Sequence, residues 1–147
     1  YGTRFSIAML DIDHFKQVND RQGHLFGDKV LQELARLLDE CVRETDVVAR
    51  YGGEEFIIVM PQTELFGACV FAERFRCRVA QGMDLTVSVG ATVAMEGDTQ
   101  QSLLARADAA LYAAKAAGRN CAWRHDGDKT ESIVEEVALA SGCDGRM

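Results

Sequence analysis

Acidic residues stand at two points where the chain must turn. Asp11 follows the apolar run 5–10, and Glu54 and Glu55 follow a Gly-Gly pair between two further apolar runs. Carboxylates held together at tight turns repel one another and lose contact with water, which favours a nearby cation. Mg²⁺ fits this role, because it takes few protein carboxylates and completes its octahedron with water and phosphate oxygens. The pattern predicts a metal-assisted reaction on a phosphate-bearing substrate.

Groups that suit a phosphate anion accompany these carboxylates. A helix start after Asp11 would supply unpaired N–H groups for a phosphate, and Lys16 adds a positive charge for the same anion. Lys115 and Arg119 are four residues apart, so we expect them to share one face at the C-terminal end of a helix. Cations also suit the helix dipole there, which is a purely structural explanation.

Structural explanations exist for the acidic residues as well. Asp11 could form a turn at the end of a strand, and the two glutamates could be solvated charges at a hairpin tip. The occurrence of both acidic elements in one chain favours the metal hypothesis.

The spacing of apolar residues predicts the elements that must position these groups. We predict strands at 5–11, 46–51, 56–60, 85–94 and 121–124, and helices at 14–21, 25–42, 64–81 and 100–117. The Gly-Gly pair predicts a hairpin in which glycine supplies positive φ, and Gly118 is expected at the C′ position of the last helix. The order β-α-α-β-β-α-β-α-β predicts an α+β layer with an antiparallel-containing sheet and helices on one face.

Composition limits the possible functions. The chain has 147 residues, enough for one domain with a sizeable core, and its net charge of −7 argues against non-specific nucleic-acid binding. No apolar run is long enough to cross a membrane. The 5 cysteines are an odd number without a C-x-x-C pair, so we expect mostly buried, reduced thiols of a cytoplasmic protein rather than a zinc site.

Five ordered motifs resemble the GGDEF family of diguanylate cyclases. They are Asp11-x-Asp13-x-Phe15-Lys16-x-x-Asn19-Asp20, Gly23-His24-x-x-Gly27-Asp28, Gly52-Gly53-Glu54-Glu55-Phe56, Ser88-Val89-Gly90 and Ala107-Asp108-x-Ala110-Leu111-Tyr112-x-Ala114-Lys115-x-x-Gly118-Arg119-Asn120. A single motif would be a weak signal, whereas five in order over roughly residues 4 to 125 are a strong one. The resemblance implies a palm-like, ferredoxin-like fold of the nucleotide-cyclase type, with a mixed or antiparallel sheet flanked by helices.

The resemblance also implies a role for each candidate residue. Asp11, Glu54 and the Ile12 carbonyl would bind Mg²⁺ or Mn²⁺, two ions per active site. Glu54 is the candidate base for the 3′-hydroxyl, with Glu55 as the second choice and Lys16 as a further catalytic residue. The residues expected to bind substrate are His14 (through its N–H), Phe15, Lys16, Asn19, Asp28, Lys115 and Arg119.

Two of these residues, Asn19 and Asp28, are expected to read guanine. A carboxylate accepts from guanine N1–H and N2–H₂, and adenine offers no such donor pair, so a buried acceptor rejects the wrong base. Capping of helix ends is the alternative for both residues, above all for Asp28 ahead of a long helix.

A separate inhibitory product site is expected at Arg43 and Asp46. Five residues separate Asp46 from Gly52, which is the spacing of the inhibitory site in the family, and Arg74 occupies the position from which a second domain often completes that site. Arginine binds phosphate and stacks on purines. The alternative is an ordinary solvated helix end.

The function implied is the condensation of two GTP into cyclic di-GMP and two pyrophosphates by two domains facing each other in a homodimer. No acidic residue of the motifs is missing, which favours catalysis. Two alternatives remain: a non-catalytic module that binds GTP or cyclic di-GMP, and an effector that binds only the product at Arg43 and Asp46.

We expect residues 1–125 to form the GGDEF domain and 126–147 to form a tail, with a turn at 126–128 and one amphipathic helix at 133–140. The N-terminal helix and the Asp-x-Leu-Thr-Gly-Leu-x-Asn-Arg motif usual in the family are absent. We therefore expect a fragment of a longer protein with an upstream sensory or regulatory domain, and a membrane anchor in that upstream part is left open.

Overall fold

The computed structural model describes residues 4–133, which form one six-stranded sheet flanked by helices. The strands are β1 Phe5–Ile12, β2 Val47–Arg50, β3 Glu55–Pro61, β4 Val87–Val93, β5 Ala122–His125 and β6 Thr130–Ser132. The helices are α1 Phe15–Gln22, α2 His24–Cys41, α3 Leu65–Gly82 and α4 Gln100–Ala116. The strand order is β2-β3-β1-β4-β5-β6, and only β4 and β5 are parallel neighbours. The predicted α+β class with a mixed, mostly antiparallel sheet is confirmed.

The central strand β1 is buried on both faces, because helices cover both sides of the sheet. Ala8 and Leu10 pack in the larger core with α2 and α3, whereas Ile7 and Met9 pack against α4. Successive strand residues point to opposite faces, so α4 lies on one side and the other two helices on the other. The expectation that the helices lie on one face is therefore wrong.

Glycine at position 90 allows α4 to approach β4 closely. A Cβ atom there would lie 2.3 Å from the Leu111 amide nitrogen and 2.5 Å from the Ala107 carbonyl oxygen. Both are backbone atoms of α4, so any larger residue would push the whole helix away. The contact brings the last turn of α4, which carries Lys115, against the end of β1.

The C-terminal edge of the sheet holds a strand that the sequence analysis did not predict. β6 pairs with β5, and the Asp126 carboxylate closes the turn between them by accepting from the Asp128 and Lys129 N–H groups at 2.9 and 3.0 Å. The predicted turn at 126–128 is present, but β6 is too short and polar to give a strand pattern. The helix predicted at 133–140 lies, apart from its first residue, outside the described residues.

The cysteines differ in environment. Cys41, Cys69 and Cys121 are free thiols, and burial raises the pKa of Cys69 to about 11. Cys77 is disulfide-bonded, so the expectation of reduced thiols fails at this position. Between residues 4 and 133, no helix combines the length and the apolar character needed to cross a membrane.

An ion pair fastens the connection between β4 and α4. Arg106 donates to both oxygens of the Asp98 carboxylate at 2.7 and 2.6 Å, and the side chains of Arg106 and Asp98 are only 15% and 13% exposed. The hydrogen bonds from Arg106 hold the pKa of Asp98 well below its usual range. We expect Asp98→Asn to lower the free energy of unfolding by about 2 kcal/mol at neutral pH, because the pair is partly buried and its hydrogen bonds join charged groups.

Urea unfolding across a pH series measures this effect. Because the folded-state pKa of Asp98 is depressed, its contribution is complete above the unfolded-state pKa of about 3.9 and declines as the pH falls below that value. Arg36→Gln is the control, since the exposed pair of Arg36 and Glu40 (64% and 47% exposed) should be worth less than about 1 kcal/mol. A wild-type advantage over Asp98→Asn that stayed constant into strong acid would contradict the assignment.

Candidate active site

The carboxylate of Asp11 lies at the end of β1, and its two oxygens differ in their surroundings. Asp11 is opposite Glu55 of β3 and Ser88 of β4 in the sheet register, and it is buried. Its Oδ2 accepts from the Lys115 ammonium, while its Oδ1 is buried and has no hydrogen-bond partner within the described residues. A buried carboxylate oxygen without a donor is unfavourable unless a further cation or donor reaches it. Oxygen donors of this kind fit Mg²⁺, and the lysine already places positive charge at the same carboxylate.

The acidic turn between β2 and β3 is held by an arginine that the sequence analysis missed. Arg50 donates to the carbonyl oxygens of Gly52 and Gly53 at 3.3 and 2.7 Å. Neither glycine has positive φ, so the expected reason for the Gly-Gly pair is wrong. At Gly52 a Cβ atom would lie 3.2 Å from Glu55 Oε1, so a larger residue would require a small shift of that flexible side chain. The one available signal for Arg50 was its position directly before the turn.

The two glutamates after this turn carry unfavourable negative charge. The Glu54 carbonyl accepts from the Ile12 N–H at 3.4 Å, which ties the turn to the end of β1. Partial burial raises the pKa of the Glu55 carboxyl, and the Asp11 and Glu54 carboxylates add to the rise, while Lys115 opposes it. The excess of carboxylate over ammonium at this point favours the binding of a cation.

A cleft of about 470 Å³ joins Glu54 to both candidate guanine readers. Its lining residues are Phe15, Lys16, Asn19, His24, Asp28, Leu31, Arg50, Gly53 and Glu54. The cleft thus brings together Lys16 and Glu54 with Asn19 and Asp28, whereas Asp11, Lys115 and Arg119 are not among its lining residues.

The capping explanation for the guanine readers is wrong. Gly23 is the N-cap of α2, so Asp28 lies inside that helix, and Asn19 lies inside α1. Asn19 Oδ1 is buried without a partner in the described part of the chain, and it packs against Gly27, where a Cβ atom would be only 1.9 Å away. Gly27 therefore contributes to the site by leaving space in α2 for the Asn19 side chain of α1.

The start of α1 follows the candidate metal ligands directly. His14 is its N-cap with a left-handed φ of 59°, its side chain makes no capping bond, and Phe15 is buried at the first helical position. The first N–H groups of a helix have no partner within the helix, which suits an anion. This arrangement agrees with a role for the His14 backbone rather than its imidazole.

Lys115 and Arg119 do not share a helix face, contrary to the expectation. α4 ends at Ala116, and Gly118 takes the predicted C′ position with φ 119°. The N–H groups of Gly118 and Arg119 bond to the Lys115 and Ala114 carbonyls, which is a Schellman motif. Arg119 therefore lies beyond the helix, exposed and at φ 66°.

Arg43 and Asp46 form a closed local network at the end of α2. The Asp46 side chain is 3% exposed and accepts from the Arg43 N–H at 2.7 Å and from its guanidinium at 3.1 Å. The guanidinium also donates to the Pro61 carbonyl at 3.0 Å and to the Thr63 hydroxyl. The Arg43 side chain nevertheless remains 56% exposed, and Arg74 is exposed on α3. β2 separates this network from the acidic turn, as predicted.

The strand order β2-β3-β1-β4-β5-β6 places an acidic strand end, an acidic hairpin and a helix start at one edge of the sheet. This arrangement defines a palm-like domain of the nucleotide-cyclase type. The family described as diguanylate cyclase, GGDEF domain, matches residues 1–121. The chain belongs to this family.

Relatives and solved structures agree with this assignment. Response regulator PleD of Caulobacter vibrioides is 45% identical over 130 residues, which cover 81% of this chain and 29% of PleD. The GGDEF domain of DgcB from Caulobacter crescentus, solved with c-di-GMP, superposes with a TM-score of 0.79 at 36% identity, covering 85% of this chain and 78% of that chain. The active GGEEF domain of a diguanylate cyclase from Vibrio cholerae gives a TM-score of 0.77 at 36% identity, covering 86% of this chain and 85% of that one. The chain thus spans less than a third of PleD.

Proposed function

We propose that this domain is a diguanylate cyclase that condenses two GTP into cyclic di-GMP and two pyrophosphates. One observation carries the proposal: among residues 4–133, Asp11 Oδ1 has no hydrogen-bond partner, and it lies beside an acidic turn, next to a cleft that contains Asn19 and Asp28. In each half-reaction a 3′-hydroxyl attacks the α-phosphate of the other GTP, and pyrophosphate leaves. Asp11, Glu54 and the Ile12 carbonyl would hold Mg²⁺ or Mn²⁺, two ions per site. When bound, these ions neutralise charge that develops on the attacking and leaving oxygens.

The side chains supply the remaining steps. Glu54 accepts the proton of the 3′-hydroxyl, and Glu55, with its raised pKa, is the alternative acceptor. Lys115 is bound to Asp11 in the structure. If Asp11 held a divalent cation, Lys115 would no longer be needed as its partner. The Lys115 ammonium would then be available to the phosphates together with Lys16, Arg119 and the N–H groups that begin α1.

Each domain holds one GTP, so catalysis requires two domains face to face, and we propose a homodimer in the cytoplasm. The name of PleD, a response regulator, and the c-di-GMP complexes of DgcB support regulation by an upstream domain and binding of the product. One experiment distinguishes the cyclase from the two alternatives, a non-catalytic GTP-binding module and an effector that binds only the product. The domain, dimerised by a fused coiled coil, is given GTP and Mg²⁺: product formation supports the cyclase, GTP binding without product supports the module, and binding of cyclic di-GMP alone supports the effector.

We expect feedback inhibition by cyclic di-GMP at Arg43 and Asp46, completed by Arg74 from a neighbouring domain. Arg43→Ala removes the guanidinium that offers hydrogen bonds to phosphate and a stacking face to guanine. We expect it to raise activity at high product concentration without changing the initial velocity. Product-inhibition curves and calorimetry with cyclic di-GMP measure the effect.

Thr63→Val is the matched control, because it removes one partner of Arg43 and leaves the guanidinium in place. It should keep product affinity. Undiminished product affinity in Arg43→Ala would mean that Arg43 serves only to close the end of α2.

A further inference from the structure

The carboxylate of Asp13 connects three separate segments of the chain. It is 5% exposed, its Oδ1 accepts from Ser88 Oγ at 2.7 Å, and its Oδ2 accepts from Thr86 Oγ1 at 2.7 Å and from the Asn120 N–H at 3.0 Å. These donors come from two segments, the start of β4 with the residue before it and the loop after α4, and Asp13 itself follows β1. With both oxygens occupied by donors, Asp13 is poorly suited to bind a metal.

Asn120 is held at both its backbone and its side chain. Its N–H bonds to Asp13, and its Oδ1 accepts from Arg76 Nη1 at 2.9 Å. Arg76 in turn donates twice to the Glu73 carboxylate, at 3.0 and 2.6 Å. The loop is thereby fixed by Asp13, the residue after β1, on one side and by Arg76 of α3 on the other.

The loop that this network holds is conformationally unfavourable by itself. Arg119 and Asn120 have φ values of 66° and 48°, and His14, next to Asp13, has φ 59°. Non-glycine residues rarely adopt this region, and they keep it only where the surroundings impose it. Asp13 therefore lies between two left-handed segments, one at the start of α1 and the other carrying Arg119.

We propose that Asp13 is a positioning residue that sets the Arg119 loop against the start of α1, so that groups from both contact the same triphosphate. This inference rests on the proposed function, since it takes these two segments as the phosphate-binding part of the site. Asp13 acts through Asn120 and His14 and does not itself contact the nucleotide.

The test compares the affinities for GTP and GMP, measured by calorimetry with Mg²⁺. Asp13→Ala should weaken GTP binding on the order of tenfold to a hundredfold, because the loss of one charge-assisted hydrogen bond to a phosphate has an effect of this size. GMP, which lacks the β- and γ-phosphates, should bind nearly as before. Asp13→Asn should restore the GTP-to-GMP ratio, because its amide oxygen can accept from Thr86 and Asn120 while its NH₂ donates to the Ser88 hydroxyl. A metal ligand would not be rescued in this way, so an Asn variant as weak as the Ala variant would overturn the proposal.

Asp98→Ala is the matched control, since Asp98 is another largely buried carboxylate with several donors, and it belongs to the β4–α4 connection. Asp98→Ala should lower stability and leave the ratio of GTP affinity to GMP affinity unchanged. If this ratio fell as much as in Asp13→Ala, the Asp13 effect would be general destabilisation, and the proposal would be overturned. Arg76→Ala removes the bond from α3 to Asn120 and leaves Asp13 intact. It should lower the GTP-to-GMP affinity ratio, but by less than Asp13→Ala does. If Asp13→Ala does not fold, an unchanged ratio in Arg76→Ala overturns the proposal.

These measurements do not depend on turnover. A wild-type protein that prefers GTP over GMP but makes no cyclic di-GMP, even when dimerised, would refute the proposed function while the Asp13 inference could still be supported. A wild-type protein that binds GTP and GMP equally would overturn the inference.

Discussion

Glu54→Gln is expected to reduce cyclic di-GMP synthesis by a factor on the order of a thousand or more, with the fold intact. Glutamine has the same shape but no negative charge, so it neither binds a divalent cation as a carboxylate does nor accepts the 3′-hydroxyl proton. Loss of a general base alone costs about 10²- to 10⁴-fold, and loss of charge stabilisation adds to this. Glu54 is half-buried at the turn that Arg50 holds through backbone carbonyl oxygens, and glutamine fills the same space, so the substitution should hardly change the melting temperature. Product formation under saturating GTP, with Mg²⁺ and with Mn²⁺, measures the effect.

Glu96→Gln is the matched control, because Glu96 is an exposed glutamate in the β4–α4 connection. It should retain full activity in the same dimerised form of the domain. Turnover by Glu54→Gln close to that of the wild type would show that Glu54 is a solvated hairpin charge. The same experiment on Glu55→Gln would then decide whether the neighbouring carboxylate has the catalytic role.

The fold was predictable where local pattern decides it. The strand ending at Asp11 and the long helices follow from runs and spacing of apolar residues, and the glycine at position 118 ends α4 as expected. Whether helices cover one face of the sheet or both was not predictable in this way. Ile7 and Ala8 are both apolar and adjacent, and a strand buried on both faces has a continuous apolar sequence that does not show which helix covers which side.

The site was predictable as a set of motifs but not as a set of contacts. The pair of Lys115 and Asp11 joins residues 104 positions apart, and no local spacing indicates it. The i,i+4 spacing of Lys115 and Arg119 predicts a shared helix face only within a helix, and α4 ends at Ala116, before Gly118. Gly27 belongs to one of the motifs, but the sequence indicates no role for it, because its role is to leave space for a side chain of another helix.

Asp28→Ser is expected to reduce the preference for GTP over ATP on the order of tenfold to a hundredfold, because a lost hydrogen bond to a charged acceptor costs about 1.5–3 kcal/mol. Asp28 lies in the cleft beside Asn19, whose buried Oδ1 has no partner in the described part of the chain. Two acceptors so placed suit guanine N1–H and N2–H₂, and adenine would leave both unpaired. Calorimetry with GTP and ATP, together with the turnover of each, gives the preference directly.

Gly27→Ala tests the same recognition without altering any hydrogen-bonding group. The added Cβ atom would lie 1.9 Å from Asn19 Oδ1 and 3.3 Å from Phe15 Cζ, so the Asn19 side chain must leave its position. We expect the GTP-to-ATP ratio to fall as it does in Asp28→Ser, because guanine loses one of its two acceptors. Gly82→Ala, where an added Cβ atom meets nothing within 4 Å, is the matched control and should leave the ratio unchanged. An unchanged ratio in both Gly27→Ala and Asp28→Ser would place guanine recognition elsewhere, because each substitution disturbs a different acceptor in the same cleft.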